Sequence, residues 1–222
     1  MFAHVANPCA CRGVPVLIDG AHALGMLPVN LQQLQPDFYV SNCHKWLCGT
    51  RGSAVMYVSR QWQQYMQPPV LSHGAQAGFL SRFIWDGCRD YAPLLAISSA
   101  VKWWKGLGAA AAGAAAGSGG SVITAAAAAA AAAAETERSC CNPSILAHAG
   151  DGGAAARCYM YRLLRQAADF LAAEWGTGCL GPTNMTAAMT LVRLPEGGAL
   201  PAVGAATSAD AKYIQVRCVL AP

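Results

Sequence analysis

Two short apolar runs, each ending abruptly in polar and ionisable residues, constrain this chain more than any other feature. The first is V-L-I-D-G-A-H-A-L-G from Val16 to Gly25, and the second is D-F-Y-V-S-N-C-H-K-W from Asp37 to Trp46. Runs this short and apolar read as buried strands rather than helices. A buried strand of an α/β sheet delivers the residues at its carboxyl end to the rim of the sheet, where ligands bind. The first run ends in Asp19 and His22, the second in Asn42, His44 and Lys45. The pattern therefore predicts a carboxylate, two imidazoles and an amine at adjacent strand ends.

The rest of the chain alternates strands and helices, which argues for an α/β fold. Strands are predicted at Pro15 to Ile18, Phe38 to Val40 and Ala54 to Val58, with Leu27 to Leu34 a loop holding one helical turn. Gly49, Arg51 and Gly52 make a bend. Gln61 to Gln67 is stopped by Pro68 and Pro69, Ser72 to Gly78 is a loop, and Phe83 to Trp85 is a short extended piece. Pro93 suits the first turn of a helix whose apolar face is Leu94, Ile97, Val101 and Trp104. A long helix is predicted over Ala154 to Trp175, with Tyr159, Leu163, Leu164, Ala167, Phe170, Leu171 and Trp175 on its apolar face and Gly176 ending it. Strands at Ala187 to Leu194 and Tyr213 to Leu220 follow, separated by a small-residue loop.

Gly106 to about Ser139 is almost entirely alanine, glycine and serine. It offers no large side chain to dock on a core and reads as a low-complexity insertion, disordered or transiently helical. It divides the chain into a region 1–105, expected to be a partial large domain, and a region 140–222, expected to be a partial C-terminal small domain. It also inflates the 55% hydrophobic fraction. A net charge of +4 with no basic stripe interleaved with aromatics gives no indication of nucleic-acid binding. No segment supplies the roughly 20 apolar residues of a membrane span. Ten cysteines without zinc-like spacing or a secretory leader read as reduced thiols in an intracellular protein, with no metal centre.

Lys45 follows an apolar strand and precedes Trp46, a place where desolvation favours the neutral amine that attacks an aldehyde. Asp19, at the end of the other run, is a turn former or the partner of a protonated ring nitrogen. His22 is a structural imidazole or a neighbour of that ring. An aldehyde, a phosphate and a cationic ring occur together in pyridoxal phosphate, the cofactor these residues suit.

The pairing of D-G-A-H-A-L-G with S-N-C-H-K-W resembles the cofactor-binding core of the class V aminotransferases, the fold-type-I pyridoxal phosphate enzymes. It is most similar to the branch containing isopenicillin N epimerase and plant-type L-cysteine desulfhydrase. Trp85-Asp86-Gly87-Cys88-Arg89-Asp90-Tyr91 resembles the family's W-x-G-T-R-D-Y turn, with Cys88 where threonine is usual. The resemblance implies a large domain built on a mostly parallel sheet flanked by helices, followed by the start of a small α/β domain. It implies that Lys45 bonds the cofactor and moves the substrate's α-proton, that Asp19 binds the pyridine nitrogen and that His22 lies on the O3′ side. It places His44 and Asn42 at the phosphate, with Gly87 and Cys88 reaching it from a second subunit of a homodimer. Arg51 and Arg89 are the candidates for clamping the carboxylate of a small amino-acid substrate. The implied reaction is α,β-elimination from cysteine, with epimerisation or a catalytically inactive paralogue as alternatives. The family's phosphate loop has no counterpart among these motifs, so the chain reads as truncated at both ends.

Overall fold

A computed structural model describes residues 12–114, 153–195 and 213–217. The chain separates into two units, Met1–Leu24 with Val29–Lys102, and Gly25–Pro28 with Trp103–Pro222.

The first unit is built on three strands, β1 (Leu17–Asp19), β2 (Phe38–Asn42) and β3 (Ala54–Val58), in the order β1-β2-β3. β1 runs parallel to β2 with Ile18 opposite Tyr39 and Asp19 opposite Val40, whereas β3 is antiparallel to β2, pairing Asn42 with Ala54. The sheet is thus mixed, with its one parallel pair carrying both polar strand ends. Alternation along β2 buries Tyr39 and Ser41, which with Ile18, Cys43, Leu47 and Val58 make the buried centre of this unit. β1 begins at Leu17 rather than Pro15, since proline has no N–H to give to the ladder.

Asp37 ties the start of β2 to its surroundings. Its carboxylate accepts from the Val16 backbone N–H at 2.8 Å, from Gln61 Nε2 at 2.7 Å and from Trp62 Nε1 at 2.6 Å. Burial works against the charged carboxylate, but these three donors hold its pKa below the usual 3.8. The loop between β1 and β2 contains the single helical turn α1 (Leu31–Leu34), capped by Asn30, whose side chain accepts from the N–H groups of Gln32 and Gln33.

Phe83 to Trp85 is not extended. Phe83 N–H closes a 3-10 turn onto Leu80, and Trp85 N–H donates to Ser72 Oγ at 3.1 Å, so a side chain takes the place of a strand partner. Two helices follow, α2 (Ala92–Leu95), with Pro93 in its first turn, and α3 (Ile97–Ala114). α3 continues beyond Gly106, where the low-complexity insertion was expected to begin, in keeping with the helix propensity of alanine. Residues 115–139 lie outside the described residues.

The second unit contains α4 (Gly153–Trp175), β4 (Met189–Arg193) and β5 (Tyr213–Arg217), the two strands pairing antiparallel. α4 ends in a Schellman motif: Gly176 has φ +58, Thr177 N–H reaches Ala172 O and Gly176 N–H reaches Ala173 O. Its buried stripe is Arg157, Met160, Tyr161, Leu164 and Ala168. Leu163 and Phe170, expected on that face, are exposed, because large apolar residues occur on both sides of the helix and β4 and β5 meet only one of them. No described helix is long and apolar enough to cross a membrane.

Candidate active site

The two polar strand ends meet as the sequence predicts, each on a turn built by its neighbours. After Asp19 the chain turns at Gly20, whose N–H donates to Val40 O at 2.8 Å and whose carbonyl accepts from Ser41 Oγ at 2.6 Å. The Tyr39 ring packs so closely here that a Cβ on Gly20 would stand 2.4 Å from it, so only glycine fits. Ala23 N–H returns to Gly20 O, closing the turn that projects His22.

On the second strand, Cys43 N–H pairs with Ser53 O and Gly49 N–H reaches back to Cys43 O at 2.8 Å. Cys43 and Leu47 are buried, which pins both sides of the loop and leaves Lys45 at its exposed tip. Cys48 closes the loop in the left-handed region with φ 59.

His22 lies between two residues of this loop. Its Nε2 stands 3.3 Å from Lys45 Nζ, and its Nδ1 accepts from Trp46 Nε1 at 3.0 Å. The structure thus brings together His22 and Lys45, which the sequence singles out, with Trp46, which it notes only as a neighbour. Nothing in the linear pattern marks the indole as a hydrogen-bond donor to a residue 24 positions earlier.

Lys45 and Asp19 are both exposed, where the sequence predicts desolvation. The reason is local: β1 alternates exposed, buried, exposed, so only Ile18 points into the core. Asp19 Oδ1 accepts from Ala21 N–H at 2.9 Å, the turn-forming role, and Oδ2 has no hydrogen bond among the described residues. Its charge still reaches the core: burial pushes the Tyr39 phenol up, Ser41 pulls it down, and the Asp19 carboxylate raises it further. His44 Nδ1 lies 3.2 Å from Ser53 O, which orients the ring and turns Nε2 away from the backbone. Asn42 is half-buried at the end of β2.

Trp85 to Tyr91 forms a self-bonded turn. The Tyr91 hydroxyl donates toward Asp86 Oδ1 at 2.7 Å and lies 3.0 Å from Gly87 O, and its ring stacks on Trp85 at 5.4 Å. Gly87 has φ +116, which favours glycine. The Tyr91 hydroxyl, offset slightly by desolvation and helped by the nearby Arg89, holds the Asp86 carboxyl below its ordinary range. Arg89 bonds Asp86 at 2.9 Å and lies over the Tyr91 ring, so its guanidinium is engaged within the turn. Cys88 and Arg51 are exposed. Of the described cysteines, Cys43, Cys48, Cys88 and Cys179 are free thiols.

A family model described as Aminotransferase class-V matches residues 2–86, the span holding both strand ends and their turns. Over that span the chain is similar to the class-V aminotransferases. The L-cysteine desulfhydrase-like protein lolT1 of Epichloe uncinata is 35% identical over 123 residues, covering 46% of this chain and 27% of that protein. The L-cysteine desulfhydrase of Arabidopsis thaliana is 33% identical over 96 residues, covering 42% of this chain and 21% of that protein. The aligned part of the chain therefore spans about a quarter of the length of these two relatives. Among solved structures, the apo cysteine desulfurase of Thermococcus onnurineus matches 88% of this chain and 40% of its own, with TM-score 0.56 and 14% identity. That likeness shows a shared fold, in line with the fold-type-I α/β architecture read from the sequence.

Proposed function

We propose that this chain belongs to the class-V aminotransferases and forms the cofactor wall of a pyridoxal phosphate-dependent enzyme acting on a small amino acid. The observation that carries the reading is the Lys45 amine held 3.3 Å from His22 Nε2 in the loop after β2, with Asp19 at the end of the adjacent parallel strand. The donor set fits the cofactor: an amine for its aldehyde, and a carboxylate with one oxygen uncommitted among the described residues for a protonated ring nitrogen. When bound, the cofactor supplies an electron sink that stabilises negative charge at the substrate α-carbon.

Each residue then has a defined task. Lys45 would hold the cofactor through its aldehyde, and its Nζ would take the substrate's α-proton. Asp19 holds a proton on the ring nitrogen through its charge. His22 Nε2 sits beside the reacting nitrogen. Asn42 and the outward Nε2 of His44 provide phosphate contacts at the end of β2. Gly87 and Cys88 complete the phosphate site of a second subunit, which makes the assembly a homodimer. Arg51 is the better carboxylate clamp of the two arginines, since Arg89 is engaged by Asp86 and Tyr91.

The specific reaction we infer is α,β-elimination from L-cysteine, in which loss of the α-proton and of the thiol is followed by hydrolysis to pyruvate, ammonia and sulfide. The identity to two L-cysteine desulfhydrase-type proteins supports it. The test has two parts: the absorbance that develops when pyridoxal phosphate is added to the wild type and to Lys45→Ala, and sulfide released from L-cysteine. A band in the wild type alone, together with sulfide, is the expected result. Identical spectra reject the cofactor reading. A band with α-proton exchange but no sulfide replaces elimination with epimerisation.

A further inference from the structure

We propose that Trp46 is a positioning residue that fixes the tautomer of His22, so that the imidazole aims an N–H donor at the Lys45 nitrogen. An indole N–H only donates, so the 3.0 Å contact from Trp46 Nε1 requires a bare lone pair on His22 Nδ1. A neutral imidazole with a bare Nδ1 carries its proton on Nε2. Nε2 is the atom 3.3 Å from Lys45 Nζ. An ammonium group has three donors and no acceptor. A hydrogen bond across that gap therefore forms when the lysine nitrogen has a lone pair, as a neutral amine or an imine.

The alternatives each leave two donors facing one another. With the proton on Nδ1, the indole N–H meets an imidazole N–H. An imidazolium meets the indole at one end and, at the other, any protonated lysine. The indole thus selects the ring state that stabilises the nucleophilic form of Lys45, and it does so from the next residue in the chain. The catalytic meaning of this arrangement rests on the reading of Lys45 as the amine that bonds the cofactor; the tautomer itself does not.

The test is heteronuclear NMR of the imidazole nitrogens in the full chain labelled at histidine, without cofactor, at about pH 8.5, roughly two units above the ordinary imidazole pKa of about 6.5. The expected spectrum places the His22 proton on Nε2, with coupling through the hydrogen bond between the Trp46 N–H and Nδ1. Trp46→Phe keeps the aromatic bulk and removes the donor, so the coupling vanishes and a fraction with the proton on Nδ1 emerges. A proton on Nδ1 in the wild type, or an unchanged tautomer population in Trp46→Phe, overturns the proposal. If Trp46→Phe fails to fold, the wild-type coupling alone decides. Addition of pyridoxal phosphate separates the two ideas: the tautomer behaviour without an absorbance band keeps the Trp46 role and rejects the enzyme reading. A band with an unchanged tautomer population does the reverse.

Discussion

Gly20 and Asp37 hold the site's geometry without belonging to its chemistry. Gly20→Ala drives a methyl into the Tyr39 ring at the turn that projects His22, and the overpacking is predicted to cost about 1–3 kcal/mol, read as a lowered urea midpoint. Asp37→Asn replaces one acceptor oxygen by an amide donor and leaves one of three donors without a partner. The predicted loss near neutral pH is about 1–3 kcal/mol. Because the folded-state pKa lies below 3.8, the carboxylate's contribution is complete above that value and disappears as pH falls through the folded pKa. Urea midpoints of wild type and Asp37→Asn measured down a pH series are therefore predicted to converge in acid, and a constant gap would contradict this. At this scale the sequence was informative about identity and less so about environment. Lys45, His22 and Asp19 were visible as polar residues closing apolar runs, but the exposure of Lys45 and Asp19 follows from strand alternation and a loop pinned by Cys43 and Leu47. The role of Trp46 exists only in the pair geometry.

Elements were legible where periodicity had one interpretation. The parallel pair β1 and β2 followed from two apolar runs with polar ends, whereas the antiparallel direction of β3 did not, since alternation specifies faces and not direction. Helix α4 was legible in extent, down to Gly176 as its terminator, but its buried face was not, because apolar residues lie on both sides. The stripe observed makes a contrast testable. Leu164 is 1% exposed and Phe170 63% exposed. Leu164→Ala is predicted to cost about 2–5 kcal/mol, while Phe170→Ala stays within about 0.5 kcal/mol; equal losses in a denaturant titration would contradict this buried face, and reversed losses would place the helix the other way round. In the turn from Trp85 to Tyr91, Tyr91→Phe removes the hydroxyl shared by Asp86 and Gly87. The Asp86 carboxyl is then predicted to titrate closer to its ordinary value, as followed by NMR, because its largest stabilising partner is gone.

For the whole molecule, the first unit contains all the residues proposed to meet the cofactor, and the family match to residues 2–86 takes in all of them except Gly87 and Cys88. Pattern and chemistry agree there because β1 and β2 run parallel, so both polar strand ends come to the same rim of the sheet. Beyond it, α4 with β4 and β5 gives the second unit its order without adding a residue to the proposed chemistry. What the chain does as an enzyme therefore depends on the Lys45 nitrogen. Incubation with pyridoxal phosphate, borohydride reduction and peptide mass mapping test it directly. The predicted result is one phosphopyridoxyl group per chain, on Lys45; label spread over Lys102 and Lys105, or a Lys45 peptide that stays unmodified, contradicts it.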